Sequence, residues 1–400
     1  MNHTQTPVST ALVGISGYGR LYYDAMLRLR EAGKIRLEAA TVINQEQEKE
    51  RCAHLRALGC RIYDNYDRML EAERSHLRLC CLPTGINWHK SMTVAALEAG
   101  LNVLVEKPAA ATLADIAQMC EARDRAGRQA FVGFQHMYVP ALRAVKQRVL
   151  RGELGKVTRL RVHVQWPRAL SYYARTGWAG RLFYHDEPVL DSPANNAMAH
   201  FILMALYWAG TTEDEFADIE DMQVQLYQAQ TIESFDTFSA RVRTSDAKEL
   251  IFNMSHSSER MSPAQVMIDG TEGSIRWNEA SGLSHRVLGG EWLLSADDVP
   301  KDNRKFMFEN VLERLHGGTT PICTLEMAAQ HTAFIERVHA SAEITPVPEA
   351  WIRQRMVGTE EFRFVSGLTE QLKLADEQGL LLSEVSPAWQ EQLKSGVVPL

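Results

Sequence analysis

No run in this chain approaches the roughly 20 uninterrupted apolar residues that a membrane-spanning helix needs, and the first ten residues lack the apolar centre of a signal peptide. Both absences point to a cytoplasmic chain with no membrane partner. Cysteine is scarce: Cys52, Cys60, Cys80, Cys81, Cys120 and Cys323 are the six among 400 residues. None has zinc-type pair spacing, and Cys80-Cys81 lie inside an apolar run, so buried free thiols are expected, with no metal site. Positive charge is also in deficit. The 43 Lys and Arg against 50 Asp and Glu leave a net charge of −7, and no basic stripe offers itself to nucleic acid. What remains is ordinary: 45% hydrophobic and 23% charged residues, enough for two or three globular domains.

The first 134 residues alternate short apolar runs with amphipathic helical patterns. Strands are expected at 11–16, 36–43, 76–82, 103–105 and 130–134, with helices at 20–32, to about 58, at 87–99 and at 113–125. Such alternation specifies an α/β, Rossmann-type parallel sheet with helices on both faces, here a dinucleotide-binding domain over 1–134. From 135 to about 355 the pattern changes. A helix at 140–150 leads into period-2 strands at 158–165, 222–227, 237–242, 250–253, 265–269 and 274–277, then helices at 304–315 and 325–342. That is an α+β domain with a large, mainly antiparallel open sheet. Residues 356–400 read as a helical tail.

Val13-Gly14-Ile15-Ser16-Gly17-Tyr18-Gly19-Arg20 lies between the first strand and first helix. Gly17 and Gly19 let backbone approach a pyrophosphate, whose charge the helix N-terminus favours. Tyr22 occupies the third position of G-x-G-x-x-G, so the fingerprint is degraded and a plain tight turn stays open. The second strand ends at Asn44 where an acid usually holds a ribose, which leaves NAD and NADP both open. Further on, Val103-Leu104-Val105-Glu106-Lys107-Pro108 delivers an acid, a base and a stiffening proline to the carboxyl end of a buried strand, where open α/β sheets hold ligands.

Three stretches carry a longer match. Pro83-Thr84-Gly85-Ile86-Asn87-Trp88-His89 leads into Ala95 to Gly100 and then Val103 to Pro108. Gly133-Phe134-Gln135-His136 runs on to Pro140 and Gly152-Glu153-Leu154-Gly155. Asn196-Ala197-Met198-Ala199-His200 falls where an Asp-x-Gly-x-His would stand. Together they resemble the glucose–fructose oxidoreductase / inositol dehydrogenase / rhizopine catabolism family (Gfo/Idh/MocA), over about residues 13–210.

The resemblance implies an NAD(P)-dependent oxidoreductase that moves hydride between a secondary alcohol of a sugar, cyclitol or related polyol and nicotinamide C4. It puts Gly17, Tyr18, Gly19, Arg20 and Asn44 at the adenosine end of the cofactor. Pro83, Thr84, Asn87, His89, Glu106, Lys107 and Gln135 fall on its nicotinamide side. It implies a cis Lys107-Pro108 peptide, with Lys107 and His200 as acid/base groups. Asn196, an amide in place of a carboxylate, only hydrogen-bonds, so Lys107 and His200 carry the proton work between them, unless Asp191 folds inward to compensate.

The aromatic and basic text around Tyr172, Tyr173, Trp178 and Arg181 suits a polyhydroxylated ligand, as do His136, Asn195 and Asn196; packing is the bland alternative for the aromatics. A cofactor-binding regulator and a redox-neutral glycoside-cleaving enzyme using NAD transiently also fit the residues. An open sheet with one face to cover suggests a homodimer or homotetramer.

Overall fold

The computed structural model describes residues 6–295, 299–300 and 302–385. The chain divides into two compact units, Met1–Tyr138 with Asp302–Thr332, and Val139–Lys301 with Ala333–Leu400. Residues 302–332 thus group with the first unit, although their position in sequence placed them in the second. Among the described residues no helix is long and apolar enough to cross a membrane, and all six cysteines are free.

The first unit runs β1 (Val8–Val13), α1 (Gly19–Glu31), β2 (Ile35–Thr41), α2 (Lys49–Ala57), β3 (Arg61–Tyr63), α3 (Tyr66–Glu73), β4 (Leu79–Leu82), α4 (Ile86–Glu98), β5 (Asn102–Val105), α5 (Leu113–Ala126) and β6 (Ala130–Val132). The strands pair in parallel in the order β3-β2-β1-β4-β5-β6. Every residue of β1, β4 and β6 is buried, as strands covered on both faces must be. Strand order reverses between β1 and β4, which opens a crevice at their carboxyl ends. The glycine loop after β1, Pro83 after β4 and Glu106 after β5 all issue there.

β3 and α3 were not anticipated. β3 is three residues at the sheet edge with no buried residue, too short and too wet to carry a periodic signal. α3 begins at Asn65, whose side chain accepts from Arg68 N at 3.0 Å, a capping arrangement that the sequence does display.

The second unit contains α6 (Pro140–Leu150), β7 (Val157–Gln165), α7 (Leu170–Ala174), the small hairpin β8 (Phe183–Tyr184) and β9 (Glu187–Pro188), and α8 (Ala199–Ala209). There follow β10 (Ile219–Gln228), β11 (Thr237–Thr244), β12 (Glu249–Ser255), β13 (Ser262–Gly270), β14 (Gly273–Asn278), β15 (Gly282–Val287) and β16 (Leu293–Leu294). After α9 (Arg304–Leu315) of the first unit and α10 (Leu325–Ser341) come β17 (Ile344–Pro346), β18 (Ile352–Val357), β19 (Glu360–Val365), α11 (Leu368–Gln378) and α12 (Leu382–Val385). The segment expected as a helical tail therefore opens on a β-hairpin; its residues 386–400 lie outside the described residues.

Nine strands form the large sheet, in the order β16-β15-β14-β13-β7-β12-β11-β10-β17. Only β7–β12 and β10–β17 are parallel pairs, so the sheet is mainly antiparallel. On one side Val162 and Val164 align with Phe252 and Met254. The wholly buried α8 packs on β7 and β13, with the rings of Phe201 and Trp208 against Trp277 at 5.3 and 5.9 Å. The opposite side carries His163, Gln165 and Asn253, and there α11 lies across β7 and β12. Gln165 donates to Thr369 O and Asn253 to Leu380 O, both at 3.1 Å, while Leu382 N donates to Ser239 Oγ at 3.0 Å. The chain's own C-terminal helices cover the centre of the face that had suggested an oligomer.

Lys146 on α6 is buried and fastens the far end of α8. Its ammonium donates to Tyr207 O and Gly210 O at 2.7 Å and to Glu215 O at 3.1 Å, a cation at the negative end of a helix. Burial pulls its pKa down to about 8. Replacing Lys146 by Met keeps the bulk but takes this donor from the Gly210 and Glu215 carbonyls, while Tyr207 O retains the Gly210 N–H, so denaturant unfolding should show a loss of about 2 kcal/mol. A loss under about 1 kcal/mol would remove this role.

Candidate active site

The glycine loop of the first unit is shaped by contact. A Cβ on Gly19 would meet Gly14 O at 2.6 Å, and Gly17 sits at φ +53°, a conformation that favours glycine. α1 starts beside this turn with no side-chain cap and no acid in its first turn, leaving amide donors and a positive dipole end for an anion. Gly17, Tyr18 and Arg20 are exposed there.

Tyr22 is a compensation rather than a defect. Its ring is fully buried, edge-on to Phe308 at 5.1 Å, and its hydroxyl donates to Glu106 Oε1 at 2.6 Å. Glu106 Oε2 accepts the Lys107 backbone N–H at 3.0 Å. Gly133 makes room, since a Cβ there would fall 2.7 Å from Glu106 Oε1. Burial raises the Glu106 pKa, opposed by the charge of Lys107 and the Tyr22 hydrogen bond. Arg304, ion-paired with Asp302 at 2.8 Å, adds positive potential near Tyr18 and Glu106. Sequence reasoning missed Arg304, which lies far along the chain in the segment that returns to this unit.

The Lys107-Pro108 peptide is cis, as the resemblance implied, and Lys107 is half-buried. His89 is buried with Nδ1 2.7 Å from Pro108 O and Nε2 3.1 Å from Thr84 O. A neutral ring bears one N–H, so it donates to one of these two carbonyls while lying between the turns after β4 and β5. Thr84 Oγ1, Asn87 Oδ1 and Gln135 Oε1 are buried polar atoms with no partner, an expensive state unless a ligand supplies one. His136 is buried in the same unit, and burial lowers its pKa to about 3. At the end of β2, Asn44 donates to Ser16 Oγ at 2.9 Å and Gln47 Oε1 at 3.1 Å.

In the second unit the loop before α8 does fold inward. Asp191, 2% exposed, accepts Gly180 N at 2.7 Å and Asn196 Nδ2 at 2.9 Å. A carboxylate thus stands one hydrogen bond from the position where the resemblance expected one. Asn195 is otherwise engaged: its amide donates to Val189 O and Leu190 O at 3.2 and 3.1 Å, which removes those donors from hydroxyl recognition. His200 is buried in the first turn of α8. Tyr172 and Tyr173 meet edge-on at 5.2 Å, and Tyr173 Oη is 3.4 Å from His256 Nδ1. A cleft of about 410 Å³ opens beside Tyr173, Gly180 and Ile232. Arg181 is bound to Glu233 at 3.2 Å, so its guanidinium is already neutralised. Arg168 and His256 join this cluster without any sequence signal. Among the described residues no group of three His, Cys, Asp or Glu is placed to hold a metal ion.

Comparison with known proteins places these features. Residues 8–134 match the oxidoreductase family with an NAD-binding Rossmann fold, and residues 142–276 match the C-terminal domain of Gfo/Idh/MocA proteins. The chain belongs to the Gfo/Idh/MocA family. Among its relatives, D-glucoside 3-dehydrogenase of Escherichia coli K12 is 24% identical over 52% of this chain and 55% of that protein. A dTDP-3,4-didehydro-2,6-dideoxy-alpha-D-glucose 3-reductase of Streptomyces violaceoruber is 30% identical over 40% and 45%. The chain spans about half the length of the curated relatives it matches. Likeness of fold extends further: the WlbA dehydrogenase of Bordetella pertussis, solved with NADH and UDP-GlcNAcA, superposes with a TM-score of 0.69 at 22% identity, over 84% of this chain and 96% of that one. A Gfo/Idh/MocA chain takes NAD in its Rossmann unit, and the orphaned polar atoms and the open glycine cradle fit such a group.

His89 gives this unit a pH signature. Burial lowers its pKa to about 4, against about 6.5 in an unfolded chain. Between those values only the unfolded state binds the proton, so stability falls as pH drops through this window, by about 1.4 kcal/mol per unit per histidine. His89→Gln should flatten the slope of unfolding free energy against pH between 6.5 and 4 by one proton. An unchanged slope in denaturant titrations would show that His89 is not held neutral.

Proposed function

We propose that this chain is an NAD-dependent dehydrogenase that oxidises a secondary alcohol of a sugar or related polyol to the ketone. The observation that carries the reading is Lys107. It is a half-buried amine at the carboxyl end of β5, set by a buried Glu106 that is itself held by α1 of the glycine loop. Bound nicotinamide supplies the hydride acceptor. The chain's own residues do the rest. The α1 N-terminus and the Gly17–Gly19 turn bind the pyrophosphate, and Thr84, Asn87 and Gln135 offer unpaired acceptors on the nicotinamide side. The carbinol hydroxyl loses its proton to the base while its C–H bond gives up hydride, leaving a carbonyl. Lys107 and His200 are assigned that proton, and Asp191, through Asn196, supplies negative charge in the unit that holds His200.

The reading is tested by following reduced nicotinamide across a panel of sugars and polyols. Lys107→Ala should lower kcat by about 10²–10⁴ with NAD affinity changed by less than about threefold. No formation of reduced nicotinamide by a wild-type protein that binds NAD would overturn it in favour of a cofactor-binding regulator.

The end of β2 supports NAD over NADP in this reading. A 2′-phosphate calls for a cation; here Arg51 is paired with Glu48 and Arg56 donates to Gln45, and Glu46 and Glu50 set negative charge on either side of Lys49. NAD should bind at least about tenfold more tightly than NADP in fluorescence titrations, a gap of about 1.4 kcal/mol; the opposite order would refute this assignment.

A further inference from the structure

The second unit holds two arginines that the ion pairs of the described residues leave out. Arg168 follows β7 and Arg175 follows α7, and both guanidinium groups lie against one ring: their central carbons are 5.0 and 3.5 Å from the Tyr172 centroid. Arg168 also sits 5.6 Å from the Trp166 ring, and Arg175 5.4 Å from that of Trp178. Among the described residues neither makes an ion pair, in contrast to Arg181, which Glu233 engages. Arg168 is half-buried, and its Nε is a buried donor without a partner. The main chain pins it, Arg168 N donating to His256 O at 3.0 Å.

His256 records the same field. It is 1% exposed, and after burial itself the charges of Arg168 and Arg175 are what depress its pKa; its Nε2 is likewise buried and unpartnered. Two like charges held on one aromatic ring without an ion pair among the described residues, and the unpartnered Arg168 Nε and His256 Nε2 beside them, suit an anion. Guanidinium pairs meet carboxylate and phosphate oxygens in a fixed planar geometry. The cluster is continuous with the loop before α8: the charge of Asp191 acts on Tyr172 and Tyr173, and Asp191 holds Asn196, four residues before His200.

We propose that Arg168 and Arg175, stacked on Tyr172, form a subsite for an anionic group of the substrate, a carboxylate or a phosphate ester, so that the chain acts on an acidic or phosphorylated sugar rather than a neutral polyol. The inference rests on the dehydrogenase reading above and narrows its substrate class.

The test is calorimetric binding of glucuronate, glucose 6-phosphate and methyl glucoside to the full-length, NAD-loaded protein. At least one of the two anions should bind about tenfold or more tightly than methyl glucoside, and which one does separates carboxylate from phosphate. That preference should fall with added salt. Arg168→Leu should abolish it, Arg168→Lys should restore part of it, and Arg175→Leu, at an exposed position, should weaken it on its own. Equal binding of charged and neutral sugars, or no binding of either anion at millimolar concentration, overturns the proposal. So does an Arg168→Leu protein that loses NAD affinity instead, because the guanidinium then serves the cofactor. Arginine-dependent anion binding without formation of reduced nicotinamide leaves this subsite standing and overturns the dehydrogenase reading alone.

Discussion

The buried carboxylate of Glu106 is the constraint on which the first unit turns. One oxygen takes the Tyr22 hydroxyl from α1 and the other the backbone N–H of Lys107, so the helix that begins at the glycine loop and the strand that ends in the lysine share one acceptor. Removing a carboxylate from water is costly, and the cost is offset here by two donors and by positive charge from Lys107 and Arg304. The arrangement ties α1 to the end of β5 through a single side chain. His89 lies between the turns after β4 and β5 and donates to one of them. On the proposed reading, the placement of Lys107 rests on these contacts as much as on the residue itself.

Much of this was legible because parallel βαβ units write themselves plainly. Continuous apolar strands such as Leu79–Leu82 and a helix-plus-glycine unit leading into Glu106-Lys107-Pro108 are local patterns, and local patterns survive reading one residue at a time. The losses have a common cause. Tyr22 reads as a broken glycine fingerprint because its partner is 84 residues away. Asn196 reads as a lost carboxylate because Asp191 reaches it only when Leu190, at φ +46°, turns the loop inward. Arg168 and His256 carry no periodic signal, their meaning lying in the Tyr172 ring they surround. Arg181 and Asn195 looked available until Glu233 and two carbonyl groups were found to occupy them.

The C-terminal segment belongs to the same argument. A sheet face bearing His163, Gln165, Ser239 and Asn253 is too polar to be covered by an apolar helix and too buried to be left dry. α11 and α12 resolve this by offering backbone groups, with Thr369 O and Leu380 O accepting and Leu382 N donating. Beside them Trp351, Val365, Leu368, Leu372 and Leu382 close a small apolar cluster on Ala229. Residues 356–385 are therefore part of the second unit's core and not an appendage. Their presence alters the case for association, because the helices α11 and α12 of the chain itself lie over the centre of the sheet face that another copy would otherwise cover.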